Sequence, residues 1–591
     1  MLRAQAAPQV IIALALLLTG TSLTLGFSVD ELYQKVALNP RAPVQGLSGA
    51  PWDLFTFAPA GQTQTLMEQG VFPWYTDPDF AISFFRPLSS LSLWIDHTLW
   101  PSNTALMHLH SMAWYALLLA TIWLVYRALL PGRELASLAL LLYAVDDARA
   151  LMVGWISLRN ALVALVPAFL ALSMHHRARS QQQRAAGLLA PALFGLGLLG
   201  GEVAVALLGY LVAYALFMER GTLLERARSL LPYAAVLLVY RVIYVKLGYG
   251  ALHSDMYMDP ARAPIGFMKE LVTRLPVLVF AQFSLPPSEL WEAYPLVAPW
   301  LQPLVLALVL LGLCLLAWLL WPLLSRSREL RFWALGMVLS TVPVCGTFPA
   351  DRLLVASSLG GAALLSSLLH ALLLTPPAPE ARAPRLKRAL AQLLVAMNLV
   401  FAPAFLTVRA RDIELTRNLL EFADRSIPRG PEIQRDTLIM VNPPLSALAL
   451  YFPIYRAAAG TPLPGHFRAL ATSETDLTIE RVDDRSLKLR PEGGFLANLA
   501  QRVFRSADRK LPLGSRVRLS DMEFEVTQLT VDERPAEVLV RFDRSLEDPS
   551  LRWVRWGEYD YVPFTLPAPG ASVRLPRVDA LKLIFDVPRV E

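Results

Sequence analysis

Cysteine and charge are both scarce in this chain of 591 residues. The two cysteines, Cys314 and Cys345, lie in apolar stretches, which is typical of buried free thiols, so we expect no disulfide framework. Charged residues make up 17% of the sequence, against 55% hydrophobic residues. That balance is wrong for an ordinary soluble protein and predicts an integral membrane protein.

Lysine is rare, and arginine supplies most of the positive charge behind the net charge of +6. A basic protein binds nucleic acid when its charge is clustered on a soluble face, but these arginines fall mostly between apolar runs. We interpret them as topology signals and expect no nucleic-acid partner. The arginine bias is also common in proteins from GC-rich bacterial genomes, so the predicted location is a bacterial inner membrane.

Eleven apolar runs approach the length that a membrane-spanning helix needs, so the predicted fold is a polytopic α-helical membrane protein. They lie near residues 10–27, 104–126, 135–152, 156–174, 187–201, 203–218, 229–247, 297–324, 332–348, 352–374 and 388–408. No cleavage site follows the first run, which is interpreted as a retained anchor. The short fifth and sixth runs could also form one re-entrant pair.

Basic clusters between the runs predict the orientation, because Lys and Arg near span ends stay on the cytoplasmic side. The clusters mark alternate connections: Arg3; Arg127 and Arg133; Arg177, Arg179 and Arg184; Arg220, Arg226 and Arg228; Arg326, Arg328 and Arg331; and Arg382, Arg385, Lys387 and Arg388. The N-terminus is therefore predicted to be inside and the C-terminus outside. A crossing by the charged segment 265–285 would break this alternation, so we expect an amphipathic helix on the outer surface there.

The sequence changes character after the last apolar run, which predicts two domains. Residues 1–409 form a transmembrane domain with a long outer loop at 28–103, and residues 410–591 form an extracytoplasmic domain. Alternating stretches at 437–441, 516–519 and 537–542 predict strands in the second domain, with turns at 492–494 and 567–570. We therefore predict that this domain is mainly β.

Ionisable side chains concentrate on the predicted outer side, where they are costly at membrane depth unless they have a task. The candidates are Asp53, Asp77, Asp79 and Arg86 in the first loop, then Asp146, Asp147, Arg149, Arg159, Glu202, Asp351 and Arg352. Loop carboxylates are often simply solvated, and an arginine at a span end is often an interface anchor. Glu202 differs, because a carboxylate in a tight turn between two apolar runs needs a cationic or hydrogen-bonding partner.

Several short motifs, in this order, resemble the membrane domains of GT-C glycosyltransferases, above all the protein O-mannosyltransferase and TMTC-type branch. They are an acidic first loop, Arg86-Pro87-Leu88, His108-Leu109-His110, Trp155-Ile156-Ser157-Leu158-Arg159 and Asp351-Arg352-Leu353-Leu354. The resemblance covers about residues 8–408. The predicted β domain does not resemble the appendages that are common in that branch.

The resemblance implies an inverting enzyme that takes a sugar from a polyprenyl-phosphate donor in the membrane. The acceptor would be a periplasmic glycan, lipid or protein. By the same likeness Asp53 would be the general base on the acceptor hydroxyl. Family members often have two adjacent acids where this chain has Trp52-Asp53, and one carboxylate is a thin ligand set for a divalent metal, so a metal cofactor is left open.

The chemistry of sugar transfer from a lipid phosphate requires the same kinds of side chain. A carboxylate must reach the acceptor hydroxyl, and cations must hold the lipid phosphate as it gains charge. Asp53 supplies the carboxylate, with Asp77 and Asp79 as the next candidates. The predicted phosphate-binding residues are Arg159, Arg352 and Arg86, with Glu202 and Asp351 in support.

Two other classes of function fit the same features. The chain could be a non-catalytic membrane scaffold that binds a lipid-linked or envelope glycan, or a solute transporter. A transporter is expected to bind at broken helices near the membrane midplane, often within paired repeats, and the sequence has no visible repeat. The predicted β domain has no Ser/His/Asp grouping, metal-ligand cluster or glycine-rich phosphate loop, and we interpret its lone His466 as incidental.

Overall fold

The computed structural model describes residues 2–47, 49–283, 285–374, 383–579 and 583. Arg382, in the last predicted cytoplasmic cluster, lies outside the described residues. The chain forms two compact units. Unit one comprises Met1–Gly26, Phe85–Leu247 and Met258–Asp412, and unit two comprises Phe27–Phe84, Gly248–Tyr257 and Ile413–Glu591.

The α-helices of the described residues are named here in chain order. They are α1 (Ala7–Leu18), α2 (Val29–Ala37), α3 (Thr63–Glu68), α4 (Pro87–Leu99), α5 (Thr104–Leu129), α6 (Arg133–Ala144), α7 (Ala150–Gly154), α8 (Arg159–Ser180), α9 (Arg184–Gly200), α10 (Leu207–Phe217), α11 (Leu223–Arg228), α12 (Leu231–Lys246), α13 (Pro264–Ala281), α14 (Tyr294–Val297), α15 (Leu301–Leu324), α16 (Arg328–Thr341), α17 (Ser358–Leu369), α18 (Pro384–Ala396), α19 (Ala402–Arg409), α20 (Ile413–Arg425), α21 (Ser446–Ala459) and α22 (Leu499–Arg502).

The strands of the described residues all belong to unit two. They are β1 (Thr56–Ala58), β2 (Ala81–Ser83), β3 (Gly250–Leu252), β4 (Thr437–Met440), β5 (His466–Ala469), β6 (Leu477–Arg481), β7 (Ser486–Pro491), β8 (Arg516–Arg518), β9 (Met522–Leu529), β10 (Pro535–Phe542), β11 (Leu551–Trp556), β12 (Tyr561–Pro563) and β13 (Ser572–Leu575).

Long apolar helices make this chain an integral membrane protein. Within the described residues, six are long and apolar enough to cross a membrane: Ala7–Thr24, Thr104–Leu129, Ile156–Ser180, Leu223–Lys246, Leu301–Leu324 and Pro384–Arg425. Shorter apolar helices occupy Arg184–Gly200, Glu202–Phe217 and Ser358–Leu374. The helices α6 and α16 have 12 and 14 residues, less than a crossing needs, so the count of eleven spans stays a prediction.

Close packing in unit one positions the segment that follows Arg352. The hydroxyl of the buried Tyr210, on α10, donates to the carbonyl of Ala356 at 3.0 Å and accepts the N–H of Gly360 at 2.9 Å. Gly360 also lies against α16, where an added Cβ would come within 2.6 Å of the Trp333 carbonyl oxygen. The start of α17 is therefore held by backbone contacts that a larger residue would disrupt.

The segment predicted as an amphipathic surface helix forms α13, which is not among the helices that are long and apolar enough to cross a membrane. Its Arg274 is buried and forms an ion pair with Glu270 at 3.0 Å, and it donates to the carbonyl of Cys345 at 3.2 Å. Two of the charges that argued against a crossing, Glu270 and Arg274, are therefore paired with each other. The location of α13 on the outer surface stays a prediction.

Three sheets make up the strand framework of unit two. The first has the order β1-β2-β3, and the second is a six-stranded antiparallel sheet with the order β13-β6-β7-β10-β9-β8. The third has the order β12-β11-β4-β5, in which β11, β4 and β5 are parallel. The predicted strands at 437–441, 516–519 and 537–542 are confirmed as β4, β8 and β10.

Unit two contains more helix than the sequence predicted. The helix α20 precedes β4 in sequence, and α21 connects the parallel strands β4 and β5, as a parallel pair requires. The prediction of a mainly β domain was therefore incomplete, although the region is rich in sheet. The apolar stretch of α21 contains Pro453, which obscures its helical period in the sequence.

The segment predicted as the first outer loop also differs from its predicted assignment, because Phe27–Phe84 belongs to unit two. Trp74 stacks on Phe524 with ring centroids 4.6 Å apart, and its indole N–H donates to the carbonyl of Leu470. These partners are far away in sequence, so periodicity in the loop could not reveal them. The unit boundary at Asp412 lies close to the predicted domain boundary at residue 409.

Candidate catalytic and phosphate-binding residues

Asp53 lies in the turn that leads into β1 and is partly buried. Its Oδ1 accepts a hydrogen bond from the hydroxyl of Thr56 at 2.7 Å. The phenol of Tyr249, just before β3, also hydrogen-bonds to the Asp53 carboxylate. Burial, the charge of Asp53 and that hydrogen bond raise the pKa of Tyr249 to about 12, so its hydroxyl stays protonated and acts as a donor. The sequence analysis did not find Tyr249.

Asp77 and Asp79, the next candidate bases, are paired with arginines of the C-terminal segment. Asp77 is buried, with Arg505 at 3.1 Å and Arg509 at 3.0 Å, and Arg509 also reaches Asp79 at 3.2 Å. Burial would raise the pKa of Asp77, but the hydrogen bonds and charges of these arginines outweigh it and lower that pKa below its ordinary value. Two guanidinium groups therefore hold Asp77 in its ionised form.

One group of side chains is a candidate site for a metal ion. Within the described residues, Asp77, Asp79 and His253 bring ligand atoms within 4.8 Å of one another. Arg509 already binds both carboxylates, so a cation there would face a fixed positive charge. These residues do not fit a divalent metal, and we assign no step of the chemistry to one.

Arg159 is the first residue of α8 and is 1% exposed. Its guanidinium donates to the Ser111 hydroxyl at 2.9 Å and to the Met107 carbonyl at 2.6 Å, and it pairs with the buried carboxylate of Asp96. Protein atoms therefore already bind the guanidinium of Arg159. A role for Arg159 in binding phosphate stays a prediction, and it would require some of these contacts to be exchanged.

Glu202 lies where α9 ends, in a short 3-10 helix that follows Gly201. Its Oε2 accepts a hydrogen bond from the Nε of Arg86 at 2.7 Å, and the phenol of Tyr244 also hydrogen-bonds to Glu202. The cationic partner expected for this desolvated acid is therefore Arg86. Two residues chosen separately from the sequence meet here as an ion pair.

Within the described part of the chain, Arg352 is the candidate cation that has no polar partner. Its guanidinium lies over the rings of Trp155 and Phe348, at 5.7 and 5.1 Å from the ring centroids. Among the described residues it forms no hydrogen bond or ion pair. Trp155 opens the motif that ends at Arg159, so unit one brings together residues from two of the motifs that carried the resemblance.

The neighbouring Asp351 is fully engaged. It accepts hydrogen bonds from the backbone N–H and the hydroxyl of Ser288, at 2.9 and 2.6 Å. It also pairs with Arg409 at 2.9 Å, and Arg409 binds Asp147 at 2.7 Å and Glu289 at 2.9 Å. Asp412 also pairs with Arg409, at 3.6 Å. Asp351 therefore belongs to a network of four carboxylates around one guanidinium, and this network fixes the turn that carries Arg352.

Sequence reasoning missed Arg409 and Glu289, because nothing in their local sequence distinguishes them from residues at a span end. Burial, together with the charge of Asp351, raises the pKa of Glu289 despite the nearby Arg409. Asp146 and Arg149 form a local ion pair, 3.2 Å apart.

The candidate residues divide between the two units. Asp53, Asp77 and Asp79 belong to unit two, whereas Arg86, Arg159, Glu202, Asp351 and Arg352 belong to unit one. The joint action of Asp53, Arg159 and Arg352 at one reacting centre therefore stays a prediction.

Comparison of the sequence with family models and with curated proteins finds no match. Among solved structures, the chain is similar to the apo oligosaccharyltransferase of Archaeoglobus fulgidus, with 10% identity and a TM-score of 0.38. The match covers 79% of this chain and 65% of that protein, so the chain spans less than two thirds of its length.

The chain is also similar to ArnT from Cupriavidus metallidurans. The structure of ArnT bound to undecaprenyl phosphate has 14% identity and a TM-score of 0.37, over 78% of this chain and 90% of ArnT. Apo ArnT has 13% identity and the same TM-score, over 77% and 84% of the two chains. Likeness at this level carries no argument about activity.

Proposed function

We propose that this chain is a membrane glycosyltransferase that moves a sugar from a lipid-phosphate-linked donor to an acceptor on the outer face of the membrane. The observation that carries the proposal is the environment of Arg352, which packs between Trp155 and Phe348 and forms no ion pair among the described residues. A planar guanidinium held by aromatic rings keeps its N–H groups for the forked contacts that phosphate oxygens accept.

In the proposed reaction, the carboxylate of Asp53 takes the proton of the acceptor hydroxyl as that oxygen attacks the anomeric carbon of the donor. The bond from this carbon to the phosphate oxygen breaks, and the lipid phosphate leaves with the electron pair. Arg352 stabilises the charge that the phosphate gains, as preorganised donors do in other transfer reactions. Attack from the face opposite the leaving group inverts the anomeric centre.

The second candidate function is a scaffold that binds a lipid-linked or envelope glycan without turning it over. The observation that favours it is the pairing of Asp77 and Asp79 with Arg505 and Arg509. Because arginines pair with Asp77 and Asp79, Asp53 is the main candidate for a general base. If Asp53 does not act as a base, the protein would bind the glycan without catalysing transfer.

Both functions can be tested with purified protein in lipid nanodiscs and a radiolabelled polyprenyl-phosphate hexose as the probe. The enzyme proposal expects donor binding, and release of polyprenyl phosphate when membrane extract supplies the acceptor. Arg352→Leu should weaken donor binding at least about tenfold, because a charge-assisted pair of hydrogen bonds is lost. Binding that depends on Arg352 without any consumption of the donor would support the scaffold. Binding unaffected by Arg352→Leu, with no consumption, would overturn both.

A further inference from the structure

The small sheet of unit two brings two distant segments to one end. Because β1 and β3 both pair antiparallel with β2, they run in the same direction, and the residues just before them lie at the same end of the sheet. The register aligns Thr56 with Ser83 and Ser83 with Gly250. Asp53 precedes β1 and Tyr249 precedes β3, so the topology itself sets the phenol beside the carboxylate.

Two neutral donors hold Asp53 at this end of the sheet. The hydroxyl of Thr56 donates to its Oδ1 at 2.7 Å, and the hydroxyl of Tyr249 provides the second hydrogen bond. Hydrogen bonds to a carboxylate favour its ionised form and restrict its rotation. A base that must meet an acceptor hydroxyl needs both properties, since the proton-accepting oxygen has to be charged and correctly aimed.

Two other titratable residues of unit two, Tyr33 and Asp30, lie on α2. Tyr33, on α2, feels the charge of Asp53, and burial raises its pKa well above the ordinary value. Its hydroxyl donates to the carbonyl of Phe57 at 2.8 Å. Asp30, on the same helix, accepts a hydrogen bond from Tyr451 at 2.8 Å. The Asp30 carboxyl group serves as an internal reference in the experiment below.

We infer that Tyr249 and Thr56 are positioning residues whose hydrogen bonds fix the orientation of the Asp53 carboxylate. The role that we give to these hydrogen bonds rests on the proposed function. It goes beyond that function because it assigns a role to the segment Gly248–Tyr257, which lies outside the motifs found in the sequence. The connection between α12 and α13 thus contributes to the site through its tyrosine.

The test follows the protonation of Asp53 directly. A diazo reagent that esterifies only protonated carboxyl groups is applied to the full-length protein across a pH series. Mass spectrometry then gives the midpoint for the peptide that carries Asp53, with the Asp30 peptide as reference. Tyr249→Phe should raise the Asp53 midpoint by about one pH unit, and Thr56→Val should raise it in the same direction, because each removes a donor to the charged form.

Tyr455→Phe is the matched control, because burial and nearby acids also raise the pKa of Tyr455 to about 12 while it lies near Glu421 and Asp424. It should leave the Asp53 midpoint unchanged. An unchanged midpoint in both Tyr249→Phe and Thr56→Val would overturn the inference, and Thr56→Val decides alone if the tyrosine variant does not fold.

The readout needs no transfer activity, so it separates this inference from the proposed function. A shift of the Asp53 esterification midpoint in these variants supports the positioning contacts, even if Asp53→Asn retains transfer activity. In that case only the assignment of Asp53 as the general base is wrong. Where transfer is measurable, Tyr249→Phe should lower it about tenfold and move the acid limb of its pH profile upward with the esterification midpoint. A purely structural effect would lower activity at every pH alike.

Discussion

Single side chains decide whether this protein can catalyse transfer. Asp53 is held by neutral hydrogen-bond donors, whereas Asp77 is held by two arginines. A carboxylate held by cations is a weaker base than one held by hydroxyl groups, because charge pairing favours the ionised form more strongly. Among the three candidate acids, Asp53 is therefore the one that we propose as the base.

Asp53→Asn keeps the size of the side chain and removes the base. Transfer from the polyprenyl-phosphate donor should fall by at least about a hundredfold, as is usual when a general base is lost, while expression stays normal. Initial rates of polyprenyl phosphate release would measure the effect. If Asp53→Asn retains full activity, the mechanism fails as written, and Asp79→Asn would be the next variant to assay, since Asp79 is 71% exposed.

Arg352→Lys keeps the charge but loses the planar fork and the stacking on Trp155 and Phe348. The KM for the donor should rise more than the KM for the acceptor, because the arginine is proposed to bind phosphate. Steady-state kinetics with each substrate varied in turn would measure both constants. Arg262→Lys, at a residue whose side chain is 45% exposed, is the matched control and should change neither. Equal changes in both constants would argue against phosphate binding.

At the scale of elements, ion pairs between the first loop and the C-terminal segment stabilise unit two. Arg505 donates to the backbone carbonyl of Thr76 at 3.2 Å and pairs with the carboxylate of Asp77 at 3.1 Å. Arg509 pairs with the carboxylates of both Asp77 and Asp79. These contacts lie within one compact unit although the residues are far apart in sequence. Folding of the C-terminal segment is thus coupled to an ordered first loop.

That coupling predicts a pH dependence for Asp77→Asn. The folded-state pKa of Asp77 lies below its ordinary value, so the ionised group contributes stability that is complete above the unfolded pKa, about 4. This contribution is lost as the pH falls through the folded pKa. The difference in free energy of unfolding between wild type and Asp77→Asn should therefore be constant from about pH 7 to about pH 5 and shrink below about pH 4.

Tryptophan fluorescence during thermal unfolding would follow this difference. Asp79→Asn is the matched control, since the Asp79 side chain is 71% exposed and an exposed ion pair contributes little. A difference for Asp77→Asn that grows on acidification would have the wrong sign and would contradict the assignment.

At the scale of the whole molecule, the arginine clusters predict that the C-terminal region is periplasmic. In a background without Cys314 and Cys345, Val531→Cys should react with a membrane-impermeant maleimide added to intact cells, because Val531 is fully exposed at the turn between β9 and β10. Leu224→Cys, close to Arg226, should react only after the cells are permeabilised. The reverse labelling pattern would invert the predicted topology.

The sequence by itself determined the membrane character, the strands β4, β8 and β10, and the need of Glu202 for a partner. These features are local, since apolar length, alternation of period two and a desolvated carboxylate can each be recognised within a short stretch. The choice of Arg352 also came from the sequence, through a short motif that resembles a family. The sequence could not show that Arg352 forms no ion pair among the described residues.

Only the tertiary structure decided which of these groups meet. Arg86 pairs with Glu202, and Arg409 pairs with Asp351 as well as with Asp147 and Glu289. The order of three short strands places Tyr249 beside Asp53. The tertiary structure also assigned the first loop to the unit that contains the C-terminal region. The physical reason is that hydrogen bonds and ion pairs act over a few ångströms in space, and one chain carries no record of which distant segments will pack together.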